Sequence, residues 1–295
     1  MKAKIIKDPK YGFLRIDPIP SQKEVEKLYS EEFYSSEYKY FNDSSYEVQL
    51  EEKEFHERRW ESIYQSIINF FGKSEGLSIF DIGCGFALSL QYYKKKGLKV
   101  CGMDPAPEAV EYAIKNNINV HLSGIEDFSC VGNRRFDVVT MINVLEHLRN
   151  PAETLSKIKK YLLKDKGLLV LDVPNEFNVF QIIANKEYNL NEWWVCPPNH
   201  INYFSVSSLK KLLQLSCYEI IDFETSFPME IFLLMGEVYI GDHTLGKQCH
   251  NKRVQFEHLM CKHGHEKKLR EFYKALADCE LGRQVVMYAT PNLSD

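Results

Sequence analysis

The chain has 295 residues, 44% of them hydrophobic and 26% charged, with a formal net charge of -4. This length buries roughly three quarters of the surface an unfolded chain exposes, so one catalytic domain with additions fits it better than several small modules, and the mild acidity offers polyanions no long-range attraction. No apolar run approaches the roughly 20 residues that cross a bilayer, and the eight cysteines lack disulfide-framework spacing, so a cytoplasmic protein with reduced thiols, no membrane contact and no nucleic-acid partner is expected.

The first 45 residues are rich in turn formers, as in Asp17-Pro18-Ile19-Pro20, and in aromatics such as Tyr29, Phe33, Tyr34, Tyr38, Tyr40 and Phe41. They read as an arm with one short helix after Ser21, where Glu24 completes a capping box. From Tyr46 to Phe71 apolar positions recur at helical intervals and predict one long amphipathic helix running into Gly72. Beyond Gly76, strands are expected at 77–82, 99–103, 136–141, 168–173, 218–224 and 284–289, with helices at 87–96, 108–116, 151–163 and 207–216. The lysines at 94–96 and 157–164 alternate with apolar residues and read as solvated helix faces. Asn150-Pro151 with Glu153 marks a helix start: a side-chain cap, a proline in the first turn and an acid at the positive end. Between Thr225 and Gly282 lies a mainly helical stretch too long for an ordinary connection. Strand and helix in alternation mean an α/β, doubly wound, mostly parallel sheet covered on both faces. The expected division is an amino-terminal helical arm (1–71), a core (72–224), a helical insertion (225–282) and a last strand (283–295) that completes the sheet.

The run Asp81-Ile82-Gly83-Cys84-Gly85 sits between a buried strand and a helix. Glycine there permits a tight turn and lets a ligand approach the main chain and the helix amino terminus. A dinucleotide fingerprint needs a small residue where this chain has Leu88, and the Gly-Lys-Ser/Thr of a phosphate loop is absent. Asp81 at the strand end would repel a pyrophosphate yet suit a ligand carrying an ammonium and a sulfonium, as S-adenosylmethionine does. The next strand ends at Asp104, whose carboxylate can accept both hydroxyls of a ribose.

These residues resemble the first two motifs of the class I S-adenosylmethionine-dependent methyltransferases, acid-x-Gly-x-Gly-x-Gly with Ala87 replacing the last glycine, then the acid Asp104. Phe136-Asp137-Val138-Val139, followed by Asn143-Val144-Leu145-Glu146-His147-Leu148 and Asn150-Pro151, looks like the fourth. The resemblance spans about residues 75–225. It implies a Rossmann-like seven-stranded sheet with an antiparallel last strand, and S-adenosylmethionine as cofactor. The binding residues it implies are Asp81, Gly83, Cys84, Gly85, Asp104 and Pro105, with Asn143 from the fourth motif. Gly124 stands where an adenine-binding acid is often found, so adenine is expected on the backbone of Ile125 and Glu126.

Methyl transfer from a sulfonium needs an aligned nucleophile and, for a hydroxyl, a proton acceptor. Past the strands that end near Met141 and Val173, the candidates are Glu146, His147 and the loop 174–204, which holds Trp193, Trp194, Pro197, Pro198, Asn199 and His200. This loop reads as a lid and pocket wall, or as a hydrophobic cover over the sheet edge. Glu146-His147 with Asn199-His200-x-x-Tyr-Phe also resembles two metal-dependent groups, one methylating the 3′ end of small RNAs and one making ubiquinone by O-methylation. The acid that completes the metal site in the RNA group is Asn143 here, and no metal is assigned. In the insertion, Cys249, His250, His258, Cys261, His263 and His265 admit zinc, but Gly264 interrupts the helix and a packing or surface role is expected. The overall plan is similar to bacterial methyltransferases of surface polysaccharide and secondary-metabolite assembly. This implies O-methylation of a small-molecule or sugar acceptor, with His200 or His147 as base and Glu146 beside them. Metal-assisted RNA or quinone-type methylation and non-catalytic cofactor binding are the alternatives, and oxygen against nitrogen and the oligomeric state stay open.

Overall fold

The computed structural model describes residues 4–29, 46–125 and 127–292. Glu126 and the aromatics from Phe33 to Phe41 lie outside the described residues. The arm holds more than a helix. Strands β1 (Lys4–Lys7) and β2 (Leu14–Asp17) form an antiparallel hairpin, and β2 pairs with the short β8 (Asn202–Tyr203). Four-residue strands are too short for a periodicity signal, which is why this hairpin escaped the sequence. The helix after Ser21 is present as α1 (Gln22–Lys27), with both halves of its capping box made. The predicted long helix is two, α2 (Tyr46–Glu51) and α3 (Lys53–Phe71), and α3 ends on Gly72 at φ +69°.

Seven strands build the main sheet: β3 (Ser78–Ile82), β4 (Lys99–Asp104), β5 (Val120–Leu122), β6 (Phe136–Ile142), β7 (Leu163–Pro174), β9 (Tyr218–Thr225) and β10 (Gln284–Pro291). Their order is β5-β4-β3-β6-β7-β10-β9, with β10 antiparallel to both neighbours. The chain winds outward from β3 through β4 to β5, then returns to β6 on the other side of β3. The crevice over the carboxyl ends of β3 and β6 is therefore a topological switch point, where open α/β sheets bind ligands. Successive residues of a strand face opposite ways, so Phe80 and Val139 join one core layer, and Ile79 and Val138 the other. The first layer packs on α6 (Pro151–Lys157) and α8 (Val206–Leu215) through Leu155, Leu209 and Leu212. The second packs on α3, α4 (Leu88–Lys95) and α5 (Pro107–Lys115) through Trp60, Ile67, Leu90, Tyr93 and Val110. A fully buried Ile67 contributes about 1.5–3 kcal/mol by leaving water.

Local departures have local causes. Asn150 makes no side-chain cap on α6, because its backbone sits at φ -133° and ψ 71° and Pro151 opens the helix instead. The segment predicted as helix to residue 163 widens after Lys157 into a π turn, Ile158–Leu162, and β7 begins at Leu163. The segment 174–204, expected as a loop, contains α7 (Val179–Glu187), started by a capping box of Asn178 and Gln181. Between β9 and β10 run α9 (Glu230–Leu234), α10 (His243–Lys262) and α11 (Glu266–Asp278). No helix among the described residues is long and apolar enough to cross a membrane.

Candidate active site

The turn after β3 is held from its neighbour strand. The N–H groups of Gly83 and Cys84 both donate to the carbonyl of Met103, at 2.8 and 3.1 Å. Gly83 has φ +70°, and a Cβ there would lie 2.6 Å from Cγ2 of Val144. Ala87 takes the left-handed conformation at φ +56° and leaves α4 without a side-chain cap. A conformation costing an L-residue roughly 1–2 kcal/mol is thus kept at the helix end that borders the cavity.

The two acids are set differently. Asp81 accepts from the hydroxyls of Thr140 (2.6 Å) and Ser89 (3.0 Å). Asp104 accepts the N–H of Gly85 at one oxygen (2.8 Å) and that of Ala106 at the other (2.9 Å). Each oxygen of Asp104 keeps a further lone pair, so a diol can still be accepted. Burial pushes both carboxyls up to about 6 despite these donors. Both border a cavity of about 330 Å³ whose wall also includes Gly83, Cys84, Gly85, Pro105, Ile125, Asn143 and His147. Of the predicted cofactor residues, all that are described share this one wall. A larger depression of about 640 Å³, lined by Arg135, Lys159, Asp165 and Cys217, lies at the amino ends of β6 and β7, away from the switch point.

The amino-terminal helices supply wall residues that sequence reasoning missed: Glu52, His56, Arg59 and Trp60, along with Tyr29. Arg59 makes an ion pair with Asp172, a wholly buried residue near the end of β7. The helical period showed which residues share a face, but not which turn of α3 would overlie the switch point.

Glu146, His147 and His200 converge beside this cavity, with one donor atom from each within 4.8 Å of the others. Glu146 and His147 occupy a single 3-10 turn after β6, and His200 comes from the loop leading into β8. Glu146 is 1% exposed, and neither of its carboxylate oxygens has a hydrogen-bond partner. Nε2 of His147 is 3.6 Å from Oε1 of Glu146, while Nδ1 donates to the carbonyl of Asn199 at 2.7 Å. The hydroxyl of Tyr29 donates to the Asn199 side chain at 2.9 Å, and its ring meets His147 edge-on. Nδ1 of His200 is 3.3 Å from a carboxylate oxygen of Glu176, and the two imidazole centroids are 5.1 Å apart. Burial holds His147 down at about 3 and His200 at about 4, so both are neutral near pH 7. Burial pushes Glu146 well above the usual carboxylate range, with Glu176 and Asp172 adding to the shift. Among the described residues this is the one cluster of its kind, and His258, Cys261 and His265 do not come together.

Residues 53–222, more than half of the chain, match the methyltransferase domain family. The chain belongs to this family. A ubiquinone biosynthesis O-methyltransferase from Glaesserella parasuis is 34% identical over 110 residues, which cover 34% of this chain and 46% of that protein. One from Rickettsia bellii is 31% identical over 186 residues, covering 60% and 71%. The chain thus spans about half the length of the first relative. The plantazolicin methyltransferase BpumL in complex with SAH superposes with a TM-score of 0.53 at 18% identity, over 92% of this chain and 98% of that one. That likeness shows the fold.

Proposed function

We propose that this methyltransferase moves the methyl group of S-adenosylmethionine to a hydroxyl of a small polar acceptor, at the Glu146-His147-His200 cluster. The cofactor is assigned to the wall formed by Asp81, Gly83, Cys84, Gly85, Asp104, Pro105, Ile125 and Asn143. Asp104 would accept the ribose hydroxyls, and Asp81 would face the cationic amino-acid part. S-adenosylmethionine, when bound, would supply the methyl group and keep the electron pair of its broken carbon–sulfur bond as the acceptor oxygen bonds to the carbon, and the cluster would take the hydroxyl proton. Residues 72–224 with 283–295 are taken as the catalytic unit, and 225–282 as an inserted helical segment. The similarity to ubiquinone biosynthesis O-methyltransferases supports an oxygen acceptor.

The observation that carries this reading is the Glu146 carboxylate, buried without one hydrogen bond beside two neutral imidazoles. Burying such a group is expensive unless a ligand later satisfies it. An acceptor hydroxyl can do so by donating to Glu146, whose carboxyl is raised by burial and can take the proton, while the two imidazoles, held down near 3 and 4, are weak acceptors that orient the hydroxyl.

The same orphaned carboxylate favours a second reading, in which Glu146, His147 and His200 hold a divalent cation. One carboxylate oxygen and two imidazole nitrogens are a fitting donor set, and each histidine is anchored through its Nδ1. Such a cation would supply Lewis acidity that lowers the pKa of the acceptor hydroxyl.

The Glu146→Gln variant, assayed against a panel of catechol, phenol and sugar acceptors, should lose more than about a hundredfold in kcat while calorimetry shows unchanged S-adenosylmethionine affinity. Turnover at the wild-type rate would remove the cluster from the chemistry. Activity abolished by a chelator and restored by Mg2+ or Mn2+ selects the cation reading, whereas indifference to the chelator selects a metal-free proton acceptor in the cluster.

A further inference from the structure

Glu176 lies two residues beyond β7, and no sequence motif points to it. Its N–H donates to the carbonyl of Phe204 at 2.9 Å. Asn175 beside it bridges Phe204 and donates its side-chain amide to the carbonyls of Glu280 and Gly282, at 3.1 and 3.0 Å. The stem of Glu176 is thereby fixed to the sheet. From this mount the side chain, 6% exposed, reaches His200 with Oε1 3.3 Å from Nδ1. Its other oxygen is buried without a hydrogen-bond partner. An apolar residue would fill this place without the cost of removing a carboxylate from water.

An imidazole whose Nδ1–H is given to a carboxylate presents its Nε2 lone pair on the far side of the ring. His147 is anchored the same way by the Asn199 carbonyl. Two rings pinned through Nδ1 offer two Nε2 atoms to the space beside Glu146.

We propose that Glu176 is the positioning residue of the acceptor centre: it holds His200 in the tautomer protonated on Nδ1 and turns Nε2 toward Glu146 and His147. This rests on reading the cluster as the centre that activates the acceptor. Glu176 touches the reacting atoms only through His200. Burial pushes its carboxyl well up, while the guanidinium of Arg283, itself bonded to Glu230 at 2.9 Å, pulls it down. The competing arrangement has the proton on Glu176 and a bare Nδ1 on His200.

The test uses the full chain with S-adenosylhomocysteine bound. Long-range proton–nitrogen NMR reads the His200 tautomer, and Co2+ alone, followed by its visible absorption, reads the donor set. Wild type should show Nδ1–H on His200. Glu176→Leu should abolish that preference and weaken Co2+ binding by about 10–100-fold, with S-adenosylhomocysteine affinity unchanged. Glu176→Gln, whose amide oxygen can still accept from Nδ1, should recover part of both. A bare Nδ1 in wild type overturns the proposal, as does a Glu176→Leu protein with the wild-type tautomer and Co2+ affinity. If wild type takes up no Co2+, the cation reading fails and the tautomer alone decides on Glu176. If Glu176→Leu does not fold, the wild-type tautomer and Glu176→Gln still decide.

Discussion

Asp81 and Asp104 border one cavity, are both buried, and both have their carboxyls pushed up to about 6. At about 6 both are largely ionised at pH 7 and largely protonated by pH 5. A group whose folded pKa exceeds its unfolded one contributes stability fully present below the unfolded pKa, and loses it as pH rises through the folded pKa. In the ligand-free protein that loss runs from about pH 4 to pH 6, as the two acids ionise in a dry wall. A bound cofactor reverses the balance: its positive charge prefers Asp81 ionised, and its ribose hydroxyls donate to an ionised Asp104, so both pKa values are drawn down. Calorimetry should therefore show S-adenosylmethionine affinity constant above about pH 7 and falling by roughly tenfold or more toward pH 5, with protons released on binding at pH 6. Affinity that does not change between pH 5 and 7.5 would mean that these carboxylates do not face the ligand's charge.

At the scale of elements, α3 joins the fold to the site. Trp60, Ile63 and Ile67 bury its apolar stripe against the sheet, while Arg59, on the same helix, reaches Asp172 on β7. Burial raises the Asp172 carboxyl, and the Arg59 guanidinium opposes this. Removing one partner of such a pair strands the other, which typically costs about 3–5 kcal/mol. Arg59→Ala is accordingly expected to lower unfolding stability in urea at pH 7 by about that amount. The deficit should shrink as pH falls toward 5, where Asp172 can take a proton, and pairing Arg59→Ala with Asp172→Asn should recover part of it. A variant as stable as wild type at both pH values would show that α3 is held by its apolar stripe alone.

The whole molecule carries a net charge of -4, and among the described residues Arg59 in the cavity wall is paired with Asp172, and Arg283 near Glu176 with Glu230. A protein that neutralises several phosphates loses affinity steeply with salt, about a thousandfold between 50 and 200 mM for six contacts. With the small polar acceptor proposed above, kcat/KM should stay within about threefold over that range. A steep fall in turnover with salt, or retention of a small RNA in a gel at 50 mM, would favour the polyanionic acceptor instead.

What the sequence determined by itself is the part written in short-range chemistry: the alternating strands and helices, the glycine turn after β3, the acids Asp81 and Asp104, and the Glu146-His147 pair. A turn that needs a left-handed residue, or a strand that must be apolar on both faces, leaves its mark within a few neighbouring positions. The hairpin β1-β2, the placement of α3 over the switch point and the pairing of Glu176 with His200 left no such mark, because each depends on which surface meets which after the sheet has closed. His200 was readable as a candidate from its loop, yet its partner lies 24 positions earlier, at the end of another strand. Only the tertiary fold could strip water from Glu146 and set two imidazoles around it, since desolvation belongs to the packed molecule and not to any stretch of chain.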